Sequence, residues 1–320
     1  MRRRSVLLGL ASLGTGLLAG VSAAIGEEAA WRDGLPKTGS GPLLVVFVGN
    51  DPIDADRFDA WLERRADGVQ LFTGYANWVD WSGSIGWLVD RWKPSGRRAF
   101  WSIPLIPTGA TLAEAAQGEH DERYAVAARR LAASQPQGPI LIRTGWEFNA
   151  EWFPWSALKE PDKFAGAYRR FVRSFRSISS RFVFEWTPNI GDRGLDPEVA
   201  YPGDDYVDII GLDFYYHPQW NSADPDIAWT HMLEQPYGLK WHQRFAGDRR
   251  KPTSYAEWGV ALDSSGPYVR QAAAWFRDHD TVYQSYWNSD AAFAGKLSDN
   301  RIPRAGAAYR EMFAASARSP

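Results

Sequence analysis

The sequence predicts an α/β fold, a single (β/α)8 TIM barrel, from three observations. Eight short apolar runs alternate with amphipathic segments along a chain of 320 residues. Charged and aromatic residues collect where several of these runs end, as they do at the mouth of a barrel. No G-x-G-x-x-G pattern follows the first run, although a doubly wound sheet that binds a dinucleotide would carry one there. A closed barrel is therefore favoured over an open sheet.

The predicted strands have the length and apolar character of strands that are buried on both faces. In chain order they are Leu43–Val48, Val69–Tyr75, Ala99–Leu105, Ile140–Gly145, Phe182–Trp186, Val207–Phe214, Thr253–Trp258 and Val282–Trp287. Eight parallel strands are the number that closes a barrel of this type.

Three of the segments between the strands carry apolar residues at steps of three and four, which is the spacing of one helix face. The middle one follows Pro161, a residue that suits the first turn of a helix. The apolar positions are Tyr124, Ala127 and Leu131; Phe164, Tyr168, Phe171, Phe175 and Ile178; and Val269, Ala273 and Phe276. These segments are predicted to be helices that cover the outside of the barrel.

The first 23 residues resemble an export signal. Arg2–Arg4 precede an apolar run of small residues that ends near Ala23, and the order of Arg3, Arg4, Val6 and Leu7 resembles a twin-arginine signal. A general secretory signal and an uncleaved anchor are the alternatives. We therefore expect a signal peptide over 1–23, a leader over 24–40, the barrel over 41–316, and a secreted or periplasmic protein.

The composition excludes several kinds of partner and cofactor. The net charge is −2 and the body of the chain has no basic run, so nucleic acid is not expected. The absence of cysteine excludes disulfides and thiol chemistry, and the five histidines lack the spacing of a metal site. Seventeen tryptophans and thirteen tyrosines are available to fill a core or to stack on sugars. We expect no metal, no cofactor, no stable membrane partner, and a monomer.

Two stretches place a glutamate among aromatic residues at the end of an apolar run. The first is Arg143-Thr144-Gly145-Trp146-Glu147-Phe148-Asn149 and the second is Ser254-Tyr255-Ala256-Glu257-Trp258-Gly259. In a barrel these two glutamates would end strands that face each other across one pocket. A pair of carboxylates in such a pocket suits the cleavage of a glycosidic bond.

The first stretch and its continuation resemble the acid/base signature of glycoside hydrolase family 26, whose best-known members are endo-β-mannanases. The matching positions are Arg143, Glu147, Phe148, Asn149, Trp152, Phe153 and Trp155. The sequence from Asp204 to Gly211, with Asp213 and Tyr215, is similar to the family's sixth strand. Glu257-Trp258-Gly259 resembles the strand of its nucleophile, and Trp287 lies where related enzymes place an aromatic floor. Trp146 stands where the family usually has histidine, and Ala150 where it commonly has glycine.

The resemblance implies a retaining mechanism with Glu147 as the acid/base and Glu257 as the nucleophile, their carboxyl groups about 5 to 5.5 Å apart. We expect burial and the charge of Glu257 to raise the pKa of Glu147. The residues expected to bind substrate are Arg143, Trp146, Asn149, Trp152, Asp213, Tyr215 and Trp287. Among them, Asn149 or Asp213 is expected to hold a sugar hydroxyl, and Tyr215 to donate a hydrogen bond to the nucleophile.

Some roles stay open at this point. Arg143 serves either to hold a carboxylate ionised or as a structural partner of Asp213 or Glu185, and Glu185 itself is expected to pair with an arginine of the barrel. The predicted function is an exported endo-β-glycanase that acts on a polysaccharide or oligosaccharide of β-mannan type. A hydrolase of β-glucan, β-xylan or a bacterial exopolysaccharide and a non-catalytic carbohydrate-binding barrel are the alternatives.

Overall fold

A computed structural model of the chain describes residues 41–291 and 293–314. The predicted signal peptide over 1–23 and the leader over 24–40 lie outside the described residues, as do the last two residues of the predicted domain. The limits of these three segments therefore stay predictions.

The described chain forms a closed barrel of parallel strands, which confirms the predicted fold. The strands are β1 (Leu43–Phe47), β2 (Gly68–Phe72), β3 (Ala99–Ile103), β4 (Ile140–Thr144), β5 (Phe182–Trp186), β6 (Ile209–Gly211), β7 (Phe214–Tyr216), β8 (Thr253–Val260) and β9 (Thr281–Trp287). Each strand is hydrogen-bonded to its neighbours in the order β6-β5-β4-β3-β2-β1-β9-β8, and β8 pairs with β6 to close the ring. The short strand β7 also pairs with β8 and continues the sixth barrel strand after an interruption.

Helices cover the outside of the barrel. They are α1 (Pro52–Leu62), α2 (Trp78–Trp92), α3 (Leu112–Gln117), α4 (Asp121–Ser134), α5 (Pro161–Arg176), α6 (Pro225–Glu234), α7 (Leu239–Asp248), α8 (Gly266–Asp278) and α9 (Pro303–Phe313), with short 3-10 turns at Lys93–Ser95, Pro197–Ala200 and Asp204–Tyr206. The three helices predicted from their apolar spacing are present as α4, α5 and α8. Helix α5 begins at Pro161 as expected but ends at Arg176, so Ile178 lies beyond it. In the described part of the chain, no helix has the length and apolar character needed to cross a membrane.

The inside of the barrel has an apolar layer below a polar one. Because side chains alternate along a strand, Leu141 and Arg143 of β4 share a face while Ile142 points the other way. Leu141 belongs to an interior cluster with residues such as Phe100 and Val183, which fills the barrel near the start of the strands. One layer further on, Arg143 lies level with Ser102 and Glu185 of the neighbouring strands. The apolar layer therefore supports a polar layer at the carboxyl end of the barrel.

The interruption of the sixth strand places Asp213 inside the barrel. A Cβ at Gly211 would lie 2.4 Å from the carboxylate of Glu185, so glycine is needed where β6 ends. Asp213 then pairs as an isolated parallel bridge with Asn189, and its carbonyl accepts a hydrogen bond from Ile190 N at 3.0 Å. Strand β7 resumes after this step and carries Tyr215 towards the end of β8.

Candidate active site

A cleft of about 620 Å³ opens at the end of the barrel where the strands have their carboxyl ends. Its walls come from the ends of β4, β7, β8 and β9, from the segments that follow β5 and β7, and from α6. The polar and aromatic residues at its centre are Glu147, Trp152, Asn189, Tyr215, Glu257 and Trp287. The structure thus brings the two glutamates, which are far apart in sequence, to one cleft.

Glu147 lies in a tight turn that directly follows β4. Gly145 has a φ of 61° and Glu147 a φ of 52°, both in the left-handed region. Glycine is required at the first position because a Cβ there would also lie 2.8 Å from the ring of Phe164. At Glu147, whose side chain resists this conformation, the backbone is held by a hydrogen bond from its N–H to Thr187 O at 2.8 Å. The turn projects the carboxyl group into the cleft.

Two donors hold the carboxyl group of Glu147. Asn189 Nδ2 donates to Oε1 at 2.6 Å, and Trp152 Nε1 donates to Oε2 at 2.7 Å. Burial, followed by the charge of Glu257, raises the pKa of Glu147 to about 7, against the lowering effect of these two hydrogen bonds. Glu147 can therefore hold a proton close to neutral pH, as a general acid must.

Glu257 lies on β8 and receives two hydrogen bonds of a different kind. Tyr215 donates its hydroxyl to Oε2 at 2.8 Å, and Arg143 Nη2 donates to Oε1. The guanidinium of Arg143 brings a full positive charge next to this carboxylate, whereas Glu147 receives only neutral donors. The two carboxyl groups of the cleft therefore have environments that suit opposite protonation states.

Arg143 connects three strands beneath the cleft. Its Nη1 lies 2.8 and 2.7 Å from the two oxygens of Asp213, and its Nε donates to Ser102 Oγ at 3.0 Å. Burial lowers the pKa of Arg143, but the charges of Asp213 and Glu257 outweigh it and keep the pKa above its usual range. Arg143 thus combines the two alternatives left open by the sequence, since it orients Glu257 and is also a structural partner of Asp213.

The burial of three predicted residues corrects the roles expected for them. Asn149 and Asp213 are completely buried, so neither reaches a sugar hydroxyl. The carboxamide of Asn149 instead donates to Asn189 O and accepts from Asn189 N, both at 2.8 Å. Trp146 is also buried, with its ring 5.0 Å from the guanidinium carbon of Arg143. These side chains support the residues of the cleft from behind.

The other predicted residues lie on the surface of the cleft. Trp152 is 48% exposed, although its indole N–H is bound to Glu147. Trp287, at the end of β9, stacks on Phe47 with the ring centres 4.0 Å apart. Together with Tyr215, these rings offer apolar faces on either side of the carboxylates.

The expectation that Glu185 pairs with a barrel arginine is wrong. Its carboxylate accepts hydrogen bonds from Thr187 Oγ1 at 2.7 Å and from the hydroxyl of Tyr283. The nitrogen atoms of Arg143 are directed instead at Ser102, Asp213 and Glu257. Burial raises the pKa of Glu185. The charge of Arg143 acts against this rise in pKa, although the two side chains form no ion pair.

Sequence reasoning missed Asn189 and Arg193. Asn189 binds Glu147, and Arg193 lies beside Asn189. Asn189 directly follows Pro188 after β5, and a polar residue just beyond a barrel strand was a usable signal. Arg193 lies in a loop without a pattern of its own, so only the folded chain reveals it. Trp220, for which the sequence left packing and a platform for sugars equally open, lines the cleft and is 59% exposed.

No group of three or more His, Asp or Glu side chains within 41–291 and 293–314 is arranged to hold a metal ion. What the cleft does contain is an acid with a raised pKa and a carboxylate bound to a cation. This combination can transfer a proton to a leaving group and attack an electrophilic carbon.

A family model described as Glycosyl hydrolase family 26 matches residues 119–232. The matched part contains Glu147, Asn189 and Asp213 but ends before Glu257. The match therefore covers one of the two carboxylates.

Two curated relatives extend over different lengths of the chain. Endoglucanase H of Acetivibrio thermocellus is 25% identical over 300 residues, which is 88% of this chain and 31% of that protein. Mannan endo-1,4-β-mannosidase of Bifidobacterium adolescentis is 28% identical over 150 residues, which is 44% of this chain and 15% of that protein. The chain thus spans less than a third of the length of either relative.

Solved structures of mannanases have the same fold. A GH26 β-mannanase from Bacteroides ovatus superposes with a TM-score of 0.62 at 16% identity, covering 92% of this chain and 93% of that one. A modular endo-β-1,4-mannanase from Cellulomonas fimi gives 0.60 at 17% identity, covering 84% and 71%. At these identities the likeness concerns the architecture of the barrel.

Proposed function

We propose that this chain is a member of glycosyl hydrolase family 26 and hydrolyses O-glycosidic bonds within a β-linked polysaccharide, with a β-mannan as its substrate. The observation that carries the proposal is the pair of unlike carboxyl groups in one cleft. Glu147 has a pKa raised to about 7 and binds neutral donors, while Glu257 is bound by the guanidinium of Arg143. A glycosidase needs this division between one acid and one carboxylate.

In the proposed first step, Glu147 gives its proton to the glycosidic oxygen while a carboxylate oxygen of Glu257 attacks the anomeric carbon. The bond to the leaving sugar breaks and a covalent glycosyl-enzyme forms. In the second step, Glu147 takes a proton from water, which attacks the same carbon and releases Glu257. Two inversions give net retention. Tyr215 and Arg143, which hold separate oxygens of Glu257, keep this carboxylate oriented during both steps.

The choice of β-mannan rests on the names of the Bifidobacterium relative and of the structural neighbours. A β-1,4-glucan is the second candidate, because the relative that matches 88% of this chain is called an endoglucanase. The two polymers differ at the 2-hydroxyl, next to the carbon that Glu257 would attack. A direct comparison of substrates therefore decides between them.

The proposal is tested by release of oligosaccharides, detected by mass, from β-mannan, β-glucan, β-xylan and bacterial exopolysaccharides. We expect wild type to release products of several lengths from β-mannan, and Glu257→Ala to release none because the nucleophile is gone. Asp54→Ala, on the outer surface of α1, is the control and keeps wild-type activity. Products from β-glucan alone would favour the second candidate. Binding of a polymer without any release would support a non-catalytic carbohydrate-binding barrel and contradict the proposal.

We also propose that the chain is exported, on the basis of Arg2–Arg4 and the apolar run that ends near Ala23. Expression of the full chain in a bacterium with a twin-arginine pathway, followed by N-terminal sequencing, tests this. We expect a mature protein outside the cytoplasm that begins close to residue 24. Replacement of Arg3 and Arg4 by lysine is expected to block twin-arginine export. A full-length chain retained in the cytoplasm would contradict the proposal.

A further inference from the structure

Arg193 contacts both of the side chains that hold the carboxyl group of Glu147. Its Nε donates to Asn189 Oδ1 at 2.9 Å and to Ile190 O at 3.1 Å. Its guanidinium carbon also lies 5.9 Å from the centre of the Trp152 ring. Arg193 therefore contacts Glu147 only indirectly, through these two side chains, and makes no hydrogen bond to its carboxyl group.

The hydrogen bond from Arg193 fixes which way the carboxamide of Asn189 faces. A guanidinium has donors only, so the group of Asn189 that faces Arg193 must be its oxygen. The amide nitrogen then faces Glu147, where it lies 2.6 Å from Oε1. The backbone of Asn189 is held in place, because the side chain of Asn149 binds both the N–H and the carbonyl of Asn189 at 2.8 Å. The carboxamide of Asn189 therefore cannot reverse by a shift of its backbone.

This orientation has a consequence for the proton of Glu147. Oε1 and Oε2 each accept from a group that can only donate, the amide nitrogen of Asn189 and the indole of Trp152. Neither can accept the proton that Glu147 carries in its acid form. If the carboxamide of Asn189 were reversed, its oxygen would accept that proton and hold it within the protein.

We propose that Arg193 is a positioning residue that fixes the carboxamide of Asn189 and so keeps the proton of Glu147 available to the substrate. The inference rests on the proposed role of Glu147 as general acid. Its physical basis is the donor-only chemistry of the guanidinium, combined with the clamped backbone of Asn189.

The test is a direct titration of Glu147 by carbon-13 NMR of protein labelled at its glutamate carboxyl groups. The signal of Glu147 is identified by its loss in Glu147→Gln. In Arg193→Met, the carboxamide is free to reverse and to accept from the protonated acid, so we expect the pKa of Glu147 to rise by roughly one unit. Arg193→Lys, which keeps a donor and the charge, is expected to restore part of the wild-type value.

The same substitution made in an Asn189→Ala variant distinguishes the positioning of Asn189 from the simple loss of a positive charge near Glu147. In Asn189→Ala no carboxamide remains to be oriented, so adding Arg193→Met should leave the pKa of Glu147 unchanged. An equal shift in both backgrounds would mean that Arg193 acts through its charge, and no shift in either would mean that it does not act on Glu147. Either result would overturn the inference. Arg57→Met, on the outer surface of α1, is the control for loss of an arginine.

Kinetics give an independent readout. On a polymer that wild type cleaves, Arg193→Met is expected to lower kcat about tenfold with little change in KM, and to move the basic limb of the pH profile upwards. A rise in KM alone would assign Arg193 to substrate binding and overturn the positioning role. Failure of wild type to cleave any polymer would contradict the proposed function instead, and the titration, which needs no substrate, would still judge Arg193.

Discussion

The protonation state of Glu147 depends on which atoms surround its carboxyl group. Burial and the charge of Glu257 favour the protonated form, while the hydrogen bonds from Asn189 and Trp152 favour the ionised form. The result is a pKa of about 7, between that of a free glutamate and that of a fully isolated buried one. A single substitution among these neighbours changes the balance without removing the carboxyl group.

This balance predicts a loss of activity as the pH rises. Because the proposed mechanism requires protonated Glu147, we expect kcat/KM to fall about tenfold per pH unit above a pKa of about 7. The measurement is a pH profile on a soluble oligosaccharide, with Glu147→Gln as the variant that lacks this limb and most of the activity. A profile that is flat from pH 6 to pH 9, a range chosen to bracket the pKa of about 7, would contradict the assignment.

The raised pKa of Glu147 makes the stability of the fold change with pH in the opposite direction from that expected for a salt-bridged acid. A carboxyl group with a raised folded-state pKa stabilises the fold fully below its unfolded pKa of about 4.3, and this contribution is lost as the pH rises through the folded value. As the pH rises between these two values, the denaturant midpoint of wild type should therefore fall relative to that of Glu147→Gln, which does not titrate. Ionisation of buried Glu147 therefore lowers the stability of the fold as the pH rises to neutral and above.

At the scale of elements, the turn after β4 and the break between β6 and β7 aim the functional side chains. The turn after β4 contains Gly145 and Glu147, both with positive φ. The break after Gly211 brings Asp213 to Arg143, which in turn binds Glu257 on β8. Neither feature belongs to a regular strand, and both depend on a glycine that leaves room for a neighbouring side chain.

The turn after β4 predicts a large effect of a small substitution. In Gly145→Ala the new Cβ would be strained by the positive φ and would lie 2.8 Å from the ring of Phe164. We expect a loss of about 1–3 kcal/mol in the free energy of unfolding, together with reduced activity, because Glu147 moves with the turn. The measurement is urea unfolding followed by fluorescence.

Gly83 is the matched control for this substitution. It lies in α2, and a Cβ there would meet nothing within 4 Å. Gly83→Ala is expected to stabilise the protein by about 0.5–1 kcal/mol, since alanine is the better helix former. Equal effects of the two substitutions would show that the turn after β4 is not under the constraint described here.

At the scale of the whole molecule, the barrel brings distant parts of the chain to one network. Arg143 of β4 binds Asp213, which precedes β7, and Glu257 of β8, and all of these atoms are buried. Removing one member would leave an uncompensated buried charge. The network therefore ties the position of the proposed nucleophile to the packing of three strands, above an apolar layer that excludes water from below.

The sequence was sufficient to predict the strands, the closure and the pairing of Glu147 with Glu257 in one cleft. Buried parallel strands are apolar throughout, so apolar runs predict the strands. A barrel has its catalytic residues at one end, so the residues that end these runs predict the cleft. The prediction was less accurate for contacts. Glu185 was expected to bind an arginine, and Asn149 and Asp213 to bind sugar, because a residue's place on a strand does not specify its depth or its partners.

What the sequence by itself determined is therefore the architecture and which carboxylates meet, since both follow from local patterns of apolar and polar residues. Only the tertiary structure decided how each carboxyl group is held. The donors to Glu147 come from loops after two different strands, and the cation on Glu257 comes from across the barrel. Hydrogen bonds and pKa values depend on distances of a few tenths of an ångström between residues far apart in the chain, and such distances exist only once the barrel has closed.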